Sequence, residues 1–506
     1  MTKKRINFKS VAENERFSGS VITVLVIAVF VLINVVLYIL VNSLGLFLYS
    51  KEKDDLTLSG STDALFASAI ESGKTVKISF CNTEDNVKDH STGRFVYETV
   101  NYFKERYPDF IEIDYINIIT RRNADGEFVD LTKYKTDMKG NEIPIYKTSV
   151  IFESGKNHKV LTDTYSTAGY ANFFTLDSSG NATSYNGESV TASMISWVLN
   201  DEHKTAYFTM RHGEVVDVAF SDLLTSAGYY IDVLDLRKNE VPSDAALVII
   251  SNPAGDFEKA SEGSGIRSEI ERLETYLERG GNLFVTLDPY VKTLPVLENY
   301  LKSLGFVFST SETEDGRIVR NLIKDSSNAI TTDGFTLVAE YSDGELQKKI
   351  RDRVSEFSDG DVIIREVSAL ELSLGAKPIL ISSSSSVCEA DGKTVATGGG
   401  YTVAAYNEFE TENGKGTVFV IPSIYLAVSD SLITNGYSNK DFLFSLFENV
   451  YGAEDLPYGC RSILYDTTTL ENLTMGAAKT YLFFIMLIPV GVAITGAVVL
   501  IKRKNR

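Results

Sequence analysis

The chain has 506 residues, too many for one ordinary domain, so we expect two or three domains. Its 68 acidic residues outnumber the 49 basic ones, which argues against nucleic acid and anionic lipid headgroups as ligands. The three cysteines, Cys81, Cys388 and Cys460, lack the C-x-x-C spacing of a redox pair or a thiolate zinc site. A disulfide between Cys388 and Cys460 stays open at this point.

Two uncharged apolar segments lie near the ends of the chain, at residues 20–48 and 481–501. About 20 apolar residues span a bilayer core as a helix, so both segments predict transmembrane helices. The alternative for the first, a cleaved signal peptide, is disfavoured because its apolar run is long and no A-x-A-like site follows it. The flanking tails, 1–19 and 502–506, are basic and are therefore predicted to lie in the cytoplasm. The chain is thus expected in the plasma membrane, with residues 51–480 outside.

The acidity of the chain lies between the predicted spans. The two tails hold nine basic and two acidic residues, which leaves 40 basic and 66 acidic residues outside. Such an excess of charge is typical of a solvated, soluble exterior.

Residues 51–200 predict a first exterior domain that opens with a β-α-β pattern. Its predicted elements, in chain order, are a strand Val76–Phe80, a helix over Val96, Val100, Phe103 and Tyr107 that stops at Pro108, a strand Ile111–Ile119, a hairpin around Gly155, a loop over 165–184 and a helix Ser189–Leu199.

Residues 201–460 predict a second exterior domain in which strands and helices alternate. Its predicted elements are strand Tyr207–Met210, helix Val218–Ala227, strands Ile231–Leu236 and Leu247–Ser251, a helix from Ile266 to Leu277, a buried strand within 282–289, helix Pro295–Leu304, and a last strand and helix within 416–452 that close the sheet. This alternation predicts an α/β fold with a parallel sheet covered by helices on both faces. Residues 311–400 look less regular, with an exposed loop predicted at Ser382–Ser386, and residues 461–480 are expected to link the domain to the second span.

The motif Arg211-His212-Gly213-Glu214 follows the first strand of this domain, where ligands of parallel sheets are found. Other polar residues at predicted strand ends are Ser251, Asn252, Asp288 and Ser423. No G-x-S-x-G elbow exists, and no cysteine ends a strand here, so His212 has no evident nucleophile to activate. With four histidines and no H-E-x-x-H, the sequence predicts neither a metal site nor a cofactor.

A resemblance to a known family accounts for this pattern. The stretches "FTMRHGE", "GYYIDVLDLRKNEVPSDAALVIISNP", "LETYLERGGNLFVTLDP" and "SNKDFLFSLFENVYG" resemble the auxiliary components of ABC transport systems of the gliding-motility (GldG) type. The family pattern G-H-G-E is matched by His212, Gly213 and Glu214, while Arg211 replaces the first glycine. The resemblance implies a thioredoxin-like first domain and a glutamine-amidotransferase-like or flavodoxin-like second domain. It also implies no known catalytic activity, and a place beside an ABC permease and an ATPase as partners. A cell-envelope component is a further candidate partner of the exterior region.

We therefore expect a non-enzymatic, membrane-anchored auxiliary subunit of an ABC-type transport system. In this interpretation Arg211, His212, Glu214 and Asp288 form a loop that contacts a partner or ligand. The alternative is an anchored exterior hydrolase or amidotransferase-like enzyme that uses His212 and Glu214 as acid–base groups.

The predicted spans contain three candidate contact residues for the permease. Asn34 lies near the middle of the first span, where an unpaired amide is costly. Ala493 and Ala497 have the small-xxx-small spacing that lets two membrane helices approach closely. The alternative is that Asn34 pairs within its own helix or with Thr495 of the second span.

Overall fold

The computed structural model describes residues 58–90, 93–162, 173–176, 182–259, 267–412, 414–434, 436–453 and 456–464. The predicted spans at 20–48 and 481–501, both tails and the linker beyond residue 464 lie outside the described residues. Within the described ranges, no helix is both long and apolar enough to cross a bilayer.

The first part of the described chain builds a small four-stranded sheet. Its elements are α1 (Gly60–Glu71), β1 (Val76–Phe80), α2 (Glu84–Asp89), α3 (Gly93–Arg106), β2 (Ile111–Tyr115), β3 (Val150–Ser154), β4 (Asn157–Leu161), β5 (Phe174–Leu176), β6 (Ala182–Tyr185) and α4 (Gly187–Leu199). The strand order is β2-β1-β3-β4, with β1 parallel to β2 and antiparallel to β3. The predicted β-α-β opening, hairpin and final helix are confirmed. The predicted loop over 165–184 is wrong at β5 and β6, which pair with each other.

Helical spacing explains how α3 packs on this sheet. Val96, Val100 and Phe103 recur every three or four residues and are all fully buried. The ring of Phe103 meets that of Phe66 edge to face, with centroids 5.4 Å apart. The buried face of α3 could therefore be predicted from the local periodicity of apolar residues.

The second part builds a larger, mixed sheet. Its first elements are β7 (Lys204–Thr209), α5 (Val218–Ser226), β8 (Tyr229–Leu234), β9 (Ala245–Ser251), α6 (Glu269–Glu278), β10 (Leu283–Thr286) and α7 (Pro295–Ser303). They are followed by β11 (Phe306–Phe308), β12 (Thr310–Glu312), β13 (Ile318–Arg320), β14 (Leu322–Lys324), β15 (Thr336–Tyr341), α8 (Glu345–Phe357), β16 (Val362–Arg365), β17 (Leu370–Leu372), β18 (Lys377–Ile381), β19 (Val387–Ala390), β20 (Lys393–Thr397), β21 (Thr402–Thr411), β22 (Gly414–Ile421), α9 (Ser429–Leu432), α10 (Asn439–Tyr451) and β23 (Ile463–Leu464).

Five strands of this sheet are parallel and lie in the order β8-β7-β9-β10-β22. Numbered along the chain, this is the 2-1-3-4-5 order of a doubly wound sheet. The sheet then continues through β21, β18, β15 and β16, which are antiparallel to their neighbours. The strand β22 is the last of the parallel strands, as expected, but antiparallel strands that were not expected continue the sheet beyond it. Three strands of the antiparallel extension, β15, β16 and β18, come from the region predicted to be less regular, and β21 follows directly after it.

Alternating burial along β9 shows how the sheet is covered. Leu247 and Ile249 face the layer formed by α5, α8 and α10, whereas Val248 and Ile250 face α6 and α7. A strand that is buried on both faces has an almost continuous run of apolar residues, as predicted for this one. Helix α8 was missed, although its apolar residues Leu346, Ile350 and Val354 have a helical spacing.

Two smaller expectations are also resolved. All three cysteines are free thiols, so the disulfide left open between Cys388 and Cys460 is not formed. The predicted serine loop is a loop and is exposed at Ser384 and Ser385, but Ser382, Ser383 and Ser386 are buried. Their segment is held by Asp325, whose carboxylate accepts a 3.0 Å hydrogen bond from the hydroxyl of Ser385.

Candidate functional site

The parallel strand order reverses between β7 and β9, and in doubly wound sheets such a reversal places a crevice at the carboxyl ends of the two strands. Helix α5 leaves β7 on one face of the sheet, and helix α6 follows β9 on the other. The loops that leave the two strands therefore diverge at this point, which is where ligands of doubly wound sheets bind. The motif Arg211–Glu214 lies on the first of these loops.

His212 is held in the crevice by two carboxylates. Its Nδ1 lies 2.8 Å from Oε1 of Glu214, and its Nε2 lies 3.1 Å from Oε2 of Glu269. The imidazole is stacked on the ring of Phe257, with centroids 4.3 Å apart. The side chains of His212 and Glu214 are 4% exposed and that of Glu269 is 1% exposed. We call His212, Glu214 and Glu269 the histidine clamp.

The two carboxylates of the histidine clamp also bind backbone groups. Oε2 of Glu214 accepts the backbone N–H of His212 at 2.7 Å, which fixes the turn between them. Oε2 of Glu269 accepts the backbone N–H of Glu258 at 2.7 Å, on the loop after β9. In the described part of the chain, Oε1 of Glu269 is buried without a hydrogen-bond partner. The clamp thus joins both loops of the crevice to the start of α6.

The two carboxylates of the histidine clamp keep the imidazole of His212 protonated. Burial alone lowers its pKa, but the hydrogen bonds to Glu214 and Glu269 outweigh burial and raise the pKa to about 9. Burial likewise opposes ionisation of Glu214, yet the hydrogen bond from His212 holds the pKa of that carboxyl below its ordinary value. Both nitrogens of an imidazolium are donors, so the ring offers no lone pair to a substrate in this arrangement.

The backbone of the motif Arg211–Glu214 has two positive φ angles and lies close to the loop after β9. Arg211 has φ 89° and Gly213 has φ 77°, a region that favours glycine. A Cβ on Gly213 would lie 3.0 Å from the Cβ of Ala254. The absence of a side chain at Gly213 therefore lets the two loops approach closely at this position. The N–H of Gly255 then donates to the carbonyl of His212 at 2.7 Å. The side chain of Arg211 is 56% exposed, and its nearest carboxylate is that of Asp235 at 3.9 Å.

The remaining predicted site residues serve their own loops. Asp288 donates its N–H to Oδ1 of Asn252 at 2.8 Å and accepts the N–H of Tyr290 at 2.8 Å. The hydroxyl of Ser251 donates to the carbonyl of Val215 at 2.5 Å, and that of Ser423 donates to the carbonyl of Arg365 at 2.7 Å. These bonds brace the carboxyl edge of the sheet and bring Asp288 to the loop after β9 rather than to His212.

Sequence reasoning missed Glu269, the second carboxylate of the histidine clamp. It is the first residue of α6, behind the N-cap Ser268, and the pattern there indicates only a helix start. The candidate contacts in the spans, Asn34, Ala493 and Ala497, lie outside the described residues. No group of histidine, cysteine and acidic side chains in the described ranges is arranged to hold a metal ion.

No family model and no curated protein matches the chain. Solved structures that are similar to part of it include the N-terminal domain of mmIFT52, with 16% identity, a TM-score of 0.35, and coverage of 48% of this chain and 96% of that domain. A glutamine amidotransferase from Thermotoga maritima shows 14% identity and a TM-score of 0.28, covering 50% of this chain and 100% of its own. PurLQS from Thermotoga maritima shows 13% identity and a TM-score of 0.27, with 49% and 99% covered. At these scores the likeness identifies no family; the protein is a mixed α/β protein with a parallel sheet.

Proposed function

We propose that the chain is a non-enzymatic, membrane-anchored auxiliary subunit of an ABC-type transport system. In this proposal both termini face the cytoplasm, and the α/β region lies outside the plasma membrane beside a permease and an ATPase. The observation that carries the proposal is the histidine clamp, in which both ring nitrogens of His212 are bound by carboxylates of the chain itself.

A catalytic base needs a nitrogen within hydrogen-bond reach of the proton that it removes. The ring of His212 instead donates to Glu214 and Glu269, and its pKa of about 9 keeps it charged at neutral pH. Such a buried ion pair fixes a loop rather than exchanging protons with a substrate. This favours a structural role over the alternative of an acid–base pair made by His212 and Glu214.

The loop that the histidine clamp fixes carries an apolar surface next to the motif. Val215, Val216 and Val218 are 42%, 49% and 46% exposed. Val215 and Val216 lie on the loop and Val218 begins α5. Exposed apolar side chains grouped in this way are typical of protein contact sites. We infer that this valine surface is where the exterior region meets its transport partner.

The order of strands in each sheet supports a fold assignment for each of the two proposed exterior domains. The order β2-β1-β3-β4 supports a thioredoxin-like first domain, and the parallel order β8-β7-β9-β10-β22 supports a flavodoxin-like or amidotransferase-like second domain.

Affinity capture of the tagged full-length chain from native membranes in mild detergent tests the proposal. An ABC permease and its ATPase should co-purify with the chain. They should be absent from a parallel capture of an unrelated two-span membrane protein produced at the same level. Recovery of neither subunit, or equal recovery with the unrelated protein, would contradict the proposal.

A further inference from the structure

A cavity of about 680 Å³ lies between helices α4 and α5 and the start of α10. The segments 357–360, 429–434 and 459–462 complete its wall, and no residue of the histidine clamp lines it. Pockets that hold small molecules have volumes of roughly 300–1,000 Å³, so the space suits a ligand larger than water.

The wall of the cavity is largely apolar, with hydroxyl groups between the apolar side chains. Val190, Met194, Leu223 and Leu432 supply apolar surface from three different helices. Ser193 and Ser226 are buried and hydrogen-bonded to each other at 2.6 Å. Such a wall fits the apolar body of a ligand and leaves specificity to the charged and polar groups that line the cavity.

Six acidic or basic residues line this cavity, and two of them, a carboxyl and an ammonium group, are half-buried and form no ion pair with each other. Asp222 lies on α5 and Lys440 on α10, and both side chains are half-buried. In the described part of the chain, the carboxylate of Asp222 accepts no hydrogen bond and forms no ion pair. Lys440 donates one hydrogen bond, to the hydroxyl of Ser189, and forms no ion pair with a described residue.

Charges withdrawn from water are costly unless they meet a counter-charge. Burial raises the pKa of Asp222 to about 8 although Lys159 and Lys440 act in the opposite direction, so the carboxyl is largely protonated at neutral pH and ionises when a further cation approaches it. The ammonium of Lys440 has three donors, of which the chain uses one. The missing partners are therefore a cation or donor at Asp222 and an anion or acceptor at Lys440.

We propose that this cavity binds a small zwitterion with an apolar body, an amino acid or a short apolar peptide. Its ammonium group pairs with Asp222, its carboxylate pairs with Lys440, and its side chains lie against the apolar wall. This inference goes beyond the proposed function, because it concerns a ligand of the exterior region and does not depend on a transport partner.

Calorimetric titration of the full-length chain in lipid nanodiscs tests the site with three probes. L-leucyl-L-leucine carries both charges, its N-acetyl derivative lacks the ammonium, and its C-terminal amide lacks the carboxylate. The free dipeptide should bind, and each derivative should bind about tenfold more weakly or worse, because each loses one charged hydrogen bond.

Two variants assign each charge to its residue. Asp222→Asn should remove the difference between the dipeptide and its N-acetyl derivative while preserving the difference from the amide. Lys440→Met should do the reverse. Asp343→Asn and Lys302→Met, at exposed positions away from the cavity, should leave all three affinities unchanged.

Thermal unfolding of each variant establishes that the fold is retained. Absence of dipeptide binding to the wild type at millimolar concentration would overturn the proposal. Equal weakening of all three probes by Asp222→Asn in a folded variant would overturn it as well, since it would show that the carboxylate does not select the ammonium.

Discussion

The Nε2 atom of His212 lies 3.1 Å from Oε2 of Glu269, although the two residues are 57 positions apart in the chain. The same carboxylate oxygen accepts the N–H of Glu258 at 2.7 Å. A residue that follows β7 is thereby joined to the loop after β9 and to the first turn of α6. This contact holds the crevice at the reversal of strand order and fixes the position of the valine surface.

Replacing His212 by glutamine should strongly destabilise the protein. The variant leaves two buried carboxylates without their shared cation, and breaking a buried ion pair costs about 3–5 kcal/mol. Urea unfolding of the full-length chain in detergent measures this loss as a change in the free energy of unfolding. Glu314→Gln removes the partner of Lys393 in an exposed pair and serves as the control, with no measurable change expected. A loss no larger than that of the control would contradict the role of the clamp.

The stabilisation by the histidine clamp should decline at alkaline pH. Folding raises the pKa of His212 from 6.5 to about 9, so its contribution is complete below pH 6.5 and is lost as the pH rises through 9. The pKa of Glu214 is lowered from 4.5, so its contribution is present above that pH and is lost in more acidic solution. The gap in unfolding free energy between wild type and His212→Gln should therefore be widest between pH 4.5 and 6.5. A gap that stays constant from about pH 6 to about pH 10 would contradict this assignment.

Glycine should suit position 211 better than any other small residue. Arg211 has φ 89°, where a Cβ is strained, and its side chain is 56% exposed. Arg211→Gly should therefore be more stable than Arg211→Ala by about 1 kcal/mol. Both variants lose the charge of the arginine, but only alanine keeps the Cβ that is strained at this φ. Denaturant unfolding of both variants measures the difference. Gly213→Ala is the opposite control and should destabilise, since its Cβ would lie 3.0 Å from that of Ala254. Equal stability of the two Arg211 variants would rule out strain at this position.

The valine surface should contribute to capture of the transport partner. Val216→Asp places a charge on a side chain that is 49% exposed, so the fold should be retained. Co-purification of the permease should fall about tenfold, as expected when one buried valine is lost from an interface. Val395→Asp, at a side chain 45% exposed on β20, is the matched control and should not change recovery. Wild-type recovery with Val216→Asp would place the partner contact elsewhere.

The predicted spans should also contribute to assembly. An interhelical hydrogen bond in a membrane is worth roughly 0.6–2 kcal/mol, about 3- to 30-fold in an association constant. Asn34→Leu should weaken permease recovery within that range, and Ala497→Leu should weaken it by steric exclusion. Ile33→Leu and Val499→Leu, apolar exchanges in the same spans, are the controls. Wild-type recovery with both test variants would mean that the spans are plain anchors.

Most individual elements around the crevice could be predicted from the sequence. The run Leu247–Ser251 is apolar at every position except the last, and such a run is expected of a strand covered on both faces. The strand before Arg211 and the helix from Val218 were also placed correctly, to within three residues at each end. These features depend on which residues of a short segment are buried. The spacing of apolar residues along the segment indicates this directly.

Other features were decided only by tertiary structure. The sheet continues beyond β22 because the antiparallel strands from residues 336–411 pair with it and with one another, and local periodicity does not indicate which strands pair. Asp222 and Lys440 come to face one cavity because α5 and α10 pack on the same side of the sheet. Nothing in the local pattern of either helix indicates the other.

The sequence by itself therefore determined the class of fold, the alternation of strands and helices, and the position of His212 and Glu214 after a strand. Only the tertiary structure brought Glu269 to the second nitrogen of His212 and thereby made the histidine a buried cation rather than a free base. The physical reason is that periodicity reports which face of an element is buried. The pKa and hydrogen bonding of a side chain depend instead on groups that packing brings in from distant parts of the chain.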